Sequence, residues 1–223
     1  MPWTSWLFFQ RFKFNIKLLS CFLVLTFINS TLVLANDITE FEVTEEEGVY
    51  YIKASVVLYA PARYVHNVLT DYVHIYRLNP SIIESEVLES EDDNIVRVRT
   101  KVIGCVAFYC EEIERVDDVR ILASGDIQAE IVPELSQFKS GIALWKIQSM
   151  GESSKLTYLA EMEPDFFIPP LIGISIVKEK LHDEIMISFT HLEKIASIQS
   201  ERDWSNDRTI INWTNKKILN PGR

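Results

Sequence analysis

Residues 164–192 read PDFFIPPLIGISIVKEKLHDEIMISFTHL, and this stretch decides the fold. Apolar side chains recur at Leu171, Ile174, Val177, Leu181, Ile185, Phe189 and Leu192, always three or four residues apart. That spacing lines one face of a 3.6-residue helix. Pro169 and Pro170 suit its first turn, where a missing N–H costs little. At about 1.5 Å per residue the helix would run for roughly 35 Å, enough to cross a small domain. It follows a long region patterned as strands. A long helix laid across a curved antiparallel sheet encloses a space, and that space is where a functional site is expected.

Upstream, residues 49–58 alternate, with Ile52, Ala54, Val56 and Leu58 facing one way and Tyr51, Lys53 and Ser55 the other. This is a half-buried strand. Ala60-Pro61 breaks it, and Tyr64, Val65, Val68 and Leu69 mark a short helix begun by Pro61. Asp71-Tyr72 ends that helix or opens a second short one through Tyr76, and Asn79-Pro80 is a turn signal. Further strands are expected over 82–88, 95–103, 106–116, 121–131, 141–150 and 156–163, joined by Asp-, Gly- or Ser-bearing turns. No internal repeat is present. The predicted class is α+β: a curved antiparallel sheet of about six or seven strands wrapped around a long C-terminal helix, with two short helices after the first strand.

This order and several strings resemble the START-like, or SRPBCC, superfamily of polyketide cyclase and coenzyme-Q-binding type. The residues that carry the resemblance are Ala60-Pro61, the helix with Val65, Val68 and Leu69, Asp71-Tyr72, Asn79-Pro80, Ser85-Glu86-Val87, Gly141, Trp145 and the proline-rich helix entry, over residues 45–195. The resemblance implies a helix-grip fold whose cavity takes lipids, quinones, hormones or polyketides, or which serves as a partner of other proteins. It is specific for fold and far less so for function.

The ends set the context. Residues 1–35 combine Arg11, Lys13 and Lys17 with an apolar run over 18–28 and Val33-Leu34-Ala35. This is the secretory signal pattern with cleavage expected after Ala35, and the alternative is an uncleaved membrane anchor. A lipidated Cys21 fits less well, because the apolar run continues past it. An exported bacterial protein, periplasmic, is therefore expected. Residues 36–47 read as a flexible acidic lead-in, 48–197 as the domain, and 198–223 as a polar tail. Residues 1–35 hold three of the 22 basic residues and none of the 32 acidic ones, so the remainder has a formal charge of −13. Such a chain repels phosphate backbones, and no nucleic-acid partner is expected.

Catalytic and metal signatures are sparse. His66, His74, His182 and His191 show no metal-pair spacing, there is no H-E-x-x-H or G-x-S-x-G, and the seven glycines form no phosphate loop. Neither a metal nor a cofactor is expected. Cys105 and Cys110 are candidates for a disulfide in an oxidising compartment, with two buried thiols as the alternative. Apolar and aromatic residues supply the candidate ligand site: Phe108, Phe138, Trp145, Tyr158, Met162, Phe166 and Phe167, with Ile174, Val177 and Leu181 from the helix. Phe166-Phe167-Ile168 is placed at the cavity mouth, since three apolar residues in a loop are costly unless covered.

The reading is non-enzymatic binding or transport of a lipophilic small molecule, with transient membrane or envelope-protein contact. One alternative is a cyclase- or aromatase-like enzyme using an inward acid or tyrosine such as Tyr109 or Glu112. Another is an envelope interaction module that docks through Phe166-Phe167.

Overall fold

The computed structural model describes residues 38–90, 92–106, 109–167 and 172–219, with side chains in the last helix as far as residue 206. The expected signal segment lies outside these residues. Eight antiparallel strands form one sheet: β1 (Ile38–Glu46), β2 (Val49–Leu58), β3 (Ile82–Leu88), β4 (Val96–Val106), β5 (Tyr109–Ile121), β6 (Ile127–Ile131), β7 (Phe138–Met150) and β8 (Ser153–Pro164). Their order across the sheet is β1-β2-β8-β7-β6-β5-β4-β3. Helix α1 (Ala62–Leu69) and a 3₁₀ turn (Tyr72–Arg77) carry the chain from β2 to β3 on the far edge. Helix α2 (Ile174–Leu219) closes the fold. This is the α+β helix-grip architecture.

Two expectations need correction. The acidic stretch 36–47 is not a loose lead-in over most of its length, because residues 38–46 form β1. Phe41 and Val43 face the core opposite Ala54 and Ile52, while Glu40 and Glu42 point away. A half-buried strand needs only one apolar face. Glu47 and Gly48 then turn the chain at φ 53° and 87°, as a two-residue hairpin with positive φ at both centres requires. Nor is 198–219 an unstructured tail, since α2 runs on through it for a total of 46 residues, about 69 Å.

The core forms where α1 and the middle of α2 meet β2 and β8. Ala54, Val56, Leu58, Tyr64, Val65, Val68, Leu156, Phe189, Leu192 and Ala196 are all buried there. The β2 alternation and the helical spacing thus converge on one apolar volume, whose burial at about 25 cal/mol per Å² drives the closure. Toward the N-terminal end of α2 the helix stands off the sheet, and Leu181 and Ile185 remain only half-buried.

Candidate functional site

Two chambers occupy the gap between α2 and the sheet. The inner one has a volume of about 280 Å³. Leu69, Tyr72 and Ile75 roof it from the α1 side, Val98, Val119 and Ile127 form its floor, and Ile185, Phe189 and Leu192 of α2 close it. Trp145 and Tyr158 lie opposite each other on β7 and β8, with ring centroids 5.1 Å apart, and complete the wall.

A charged pair is set into this apolar wall. Arg115 and Asp117 stand two apart on β5, on the same inward face as Ile113 and Val119. Arg115 donates from Nε and Nη2 to Oδ1 of buried Asp117, at 2.9 and 2.8 Å. The Tyr158 phenol lies within electrostatic reach of both charges. Burial works against the Arg115 charge, but Asp117 and Tyr158 outweigh it and hold the guanidinium above its ordinary pKa. Burial likewise raises the Tyr158 phenol, which stays protonated at neutral pH. Tyr158 lines the inner chamber, and its hydroxyl can donate to or accept from a group placed there.

The outer chamber, about 370 Å³, lies toward the start of α2. Phe138, Met162, Phe166, Val177 and Leu181 line it, facing Ile113 and Tyr109 on β5. Phe166 meets Phe138 edge to face at 5.5 Å, whereas Phe167 forms the rim and is 66% exposed. Cys105 and Cys110 are partners across the end of the β4–β5 hairpin, with Cα atoms 4.0 Å apart and their sulfurs bonded. Cys105 contributes to the chamber wall.

Ile82 borders both chambers. Beside it, Asn79 pins α2 to the turn before β3. Its Nδ2 donates to the Glu184 carbonyl and to Ser188 Oγ, both at 3.0 Å, and its Oδ1 accepts from the Ser81 N–H at 2.8 Å. Ser81 Oγ donates to Glu184 Oε2 at 2.9 Å, and Lys180 pairs with Glu184 at 2.5 Å. Burial alone would raise the Glu184 pKa, but these donors hold it below the usual carboxylate range.

The expected site residues therefore divide. Phe138, Met162, Phe166, Phe167, Val177 and Leu181 gather at the outer chamber, and Trp145 and Tyr158 at the inner one. Ile174 belongs to neither: it is 42% exposed in the first turn of α2, which is open from Ile174 to Ile176. Phe108 lies outside the described residues. Of the two acid candidates, Tyr109 reaches the outer chamber and donates to Glu111 Oε2 at 2.8 Å, but Glu112 is exposed on the opposite face. Among the described residues no group of His, Cys, Asp and Glu is placed to hold a metal. Sequence reading missed Arg115, Asp117 and Asn79. The legible signal for the first two was a charged pair on the same strand face as Ile113 and Val119.

No protein-family model matches the sequence, and no curated protein matches it. Solved structures do. The Zhui aromatase/cyclase from Streptomyces sp. R1128 superposes with a TM-score of 0.55 at 16% identity, covering 67% of this chain and 94% of that one. A START superfamily protein from Mycobacterium smegmatis gives 0.53 at 17% identity, over 67% and 98% of the two chains. A STAR-related lipid transfer protein from Xanthomonas axonopodis gives 0.52 at 17% identity, over 68% and 98%. The chain has the START-like helix-grip fold. At these identities the likeness establishes the fold, and the chambers must carry the argument for function.

Proposed function

We propose that this START-like protein binds an elongated lipophilic small molecule, without chemical conversion, in the hollow of the grip. The observation that carries this reading is the pair of chambers under α2, lined mostly by apolar side chains, with Asn79, Ser81 and Glu184 bordering the outer one and the Arg115–Asp117–Tyr158 group set at the inner one. That group is neutral overall and offers an acceptor at Asp117 and a donor at Tyr158. It suits the hydroxyl or carbonyl end of a lipid, quinone or polyketide-like molecule, with the apolar remainder extending toward Phe166 and Phe167. Removing about 300 Å² of apolar ligand surface from water yields about 7 kcal/mol before the costs of association, enough for useful affinity with no catalytic group.

A second reading rests on Tyr158. A protonated phenol that lines a mostly apolar cavity, within electrostatic reach of Arg115, is placed as the general acid that a cyclase-like reaction would use. We further propose that the protein works outside the cytoplasm. The apolar, basic-flanked segment at 1–35 and the Cys105–Cys110 disulfide support that reading.

Displacement of a chamber-bound fluorescent fatty acid by a panel of lipids, quinones and aromatic polyketides tests the binding reading. Saturable displacement by at least one class, lost in Val177→Trp, is expected. Failure of the probe and of every class to bind would overturn it. Turnover of a polyketide that ceases in Tyr158→Phe would favour the second reading.

A further inference from the structure

Helix α2 continues beyond the domain it closes. Ala196 is its last buried side chain among those described. Past it, Ser197 donates to the Tyr59 carbonyl, and Asp203 accepts from the Tyr64 hydroxyl, each at 3.0 Å. Residues 201–206 are exposed throughout, and the helix runs on to Leu219. From Asp203 onward that is about 24 Å of helix.

The sequence changes character along this reach. After Asp207 no acidic residue follows, and RTIINWTNKKILNPGR brings Arg208, Lys216, Lys217 and Arg223 into a chain of net charge −10. The same stretch holds Ile210, Ile211, Trp213, Ile218 and Leu219. Trp204, just before it, is 58% exposed, and Trp204, Ile211 and Ile218 recur every seven residues, close to two helical turns.

Cations that outnumber a single acid, Asp207, and are interleaved with tryptophan and isoleucine on a helix match an anionic lipid surface. The charges meet acidic headgroups and the indoles settle at headgroup depth. No described helix is long and apolar enough to cross a membrane, so the fitting mode is lying on the surface. An acidic domain joined to a cationic extension also has a built-in orientation, because the field that draws the extension in repels the domain.

We propose that residues 204–219 form a cationic arm that docks α2, and with it the grip, onto an anionic bilayer surface. This surface lies away from both chambers and stands whether or not the ligand reading does.

The test uses the full chain and vesicles of phosphatidylcholine, with or without one-quarter phosphatidylglycerol. Co-sedimentation favouring the anionic vesicles and weakening with salt is expected. K216Q/K217Q should reduce that partitioning by at least about tenfold while the melting temperature stays unchanged. Arg11, Lys13 and Lys17 are the same in both proteins, so the difference reports the arm. With bromine-labelled acyl chains, Trp213→Phe should remove a clear share of the tryptophan quenching. Equal binding to both vesicle types, no binding, or partitioning untouched by K216Q/K217Q would overturn the proposal. So would unchanged quenching in Trp213→Phe, the outcome if residues 1–35 or a second copy covers the arm instead.

Discussion

Arg115 directs two nitrogens at one carboxylate oxygen of Asp117, at 2.9 and 2.8 Å, on the inward face of β5. A charged pair is costly to place in an apolar wall, and removing one partner costs more than removing both. Arg115→Met leaves Asp117 buried and unpaired and should lower unfolding free energy by about 3–5 kcal/mol. The double variant Arg115→Met/Asp117→Leu should recover most of that loss, as measured by urea denaturation. If it also loses affinity for hydroxyl-bearing ligands while keeping the fold, the pair's role is in binding rather than stability.

The Asn79 pin joins residues more than a hundred positions apart, since its partners Glu184 and Ser188 lie 105 and 109 residues along the chain. Asn79→Ala leaves the Ser81 N–H without its acceptor and removes the amide donor shared by the Glu184 carbonyl and Ser188 Oγ. A loss of about 1–3 kcal/mol is expected. Faster hydrogen exchange should appear at the turn before β3 and spare β7 and β8.

Glu184 gives acid sensitivity of definite sign. Its native-state pKa is depressed by Lys180, Asn79 and Ser81. A depressed carboxyl contributes stability above its unfolded-state pKa and loses it as pH falls through the lower native value. Unfolding free energy should therefore fall with acidification below the ordinary glutamate range. In Glu184→Gln that part of the slope should be absent, with a lower plateau near neutrality. Parallel curves for the two proteins would contradict this.

The Cys105–Cys110 bond closes a very short loop. On chain-entropy grounds its loss in Cys105→Ser/Cys110→Ser should cost about 2 kcal/mol. Cys105 and Cys110 should resist thiol alkylation until the protein is reduced, which mass spectrometry of the peptides that carry them reads directly.

Much of this architecture was legible because both periodicities are clean. Ile52, Ala54, Val56 and Leu58 alternate, Phe189 and Leu192 keep helical spacing, and all six are buried together or nearly so. The misreadings share a physical origin. β1 was hidden by its glutamates, although Phe41 and Val43 carry the only face a half-buried strand needs. The extension of α2 was hidden by the mostly polar stretch over residues 199–209, and the apolar residues that return from Ile210 do not continue the three-and-four spacing of the core-facing part. Ile174 kept the right spacing but lies ahead of the part of α2 that faces the chambers. Asn79 read only as a turn residue, because the groups that use its side chain come from the other end of the chain.

The central claim is that the hollow beneath α2 is occupied by a lipophilic molecule. A native mass spectrum of the full chain, purified without detergent, tests it most directly. The account predicts a protein peak accompanied by a one-to-one adduct that organic extraction removes and that Val177→Trp lacks. An adduct-free spectrum, unchanged after incubation with lipid extract, would contradict it.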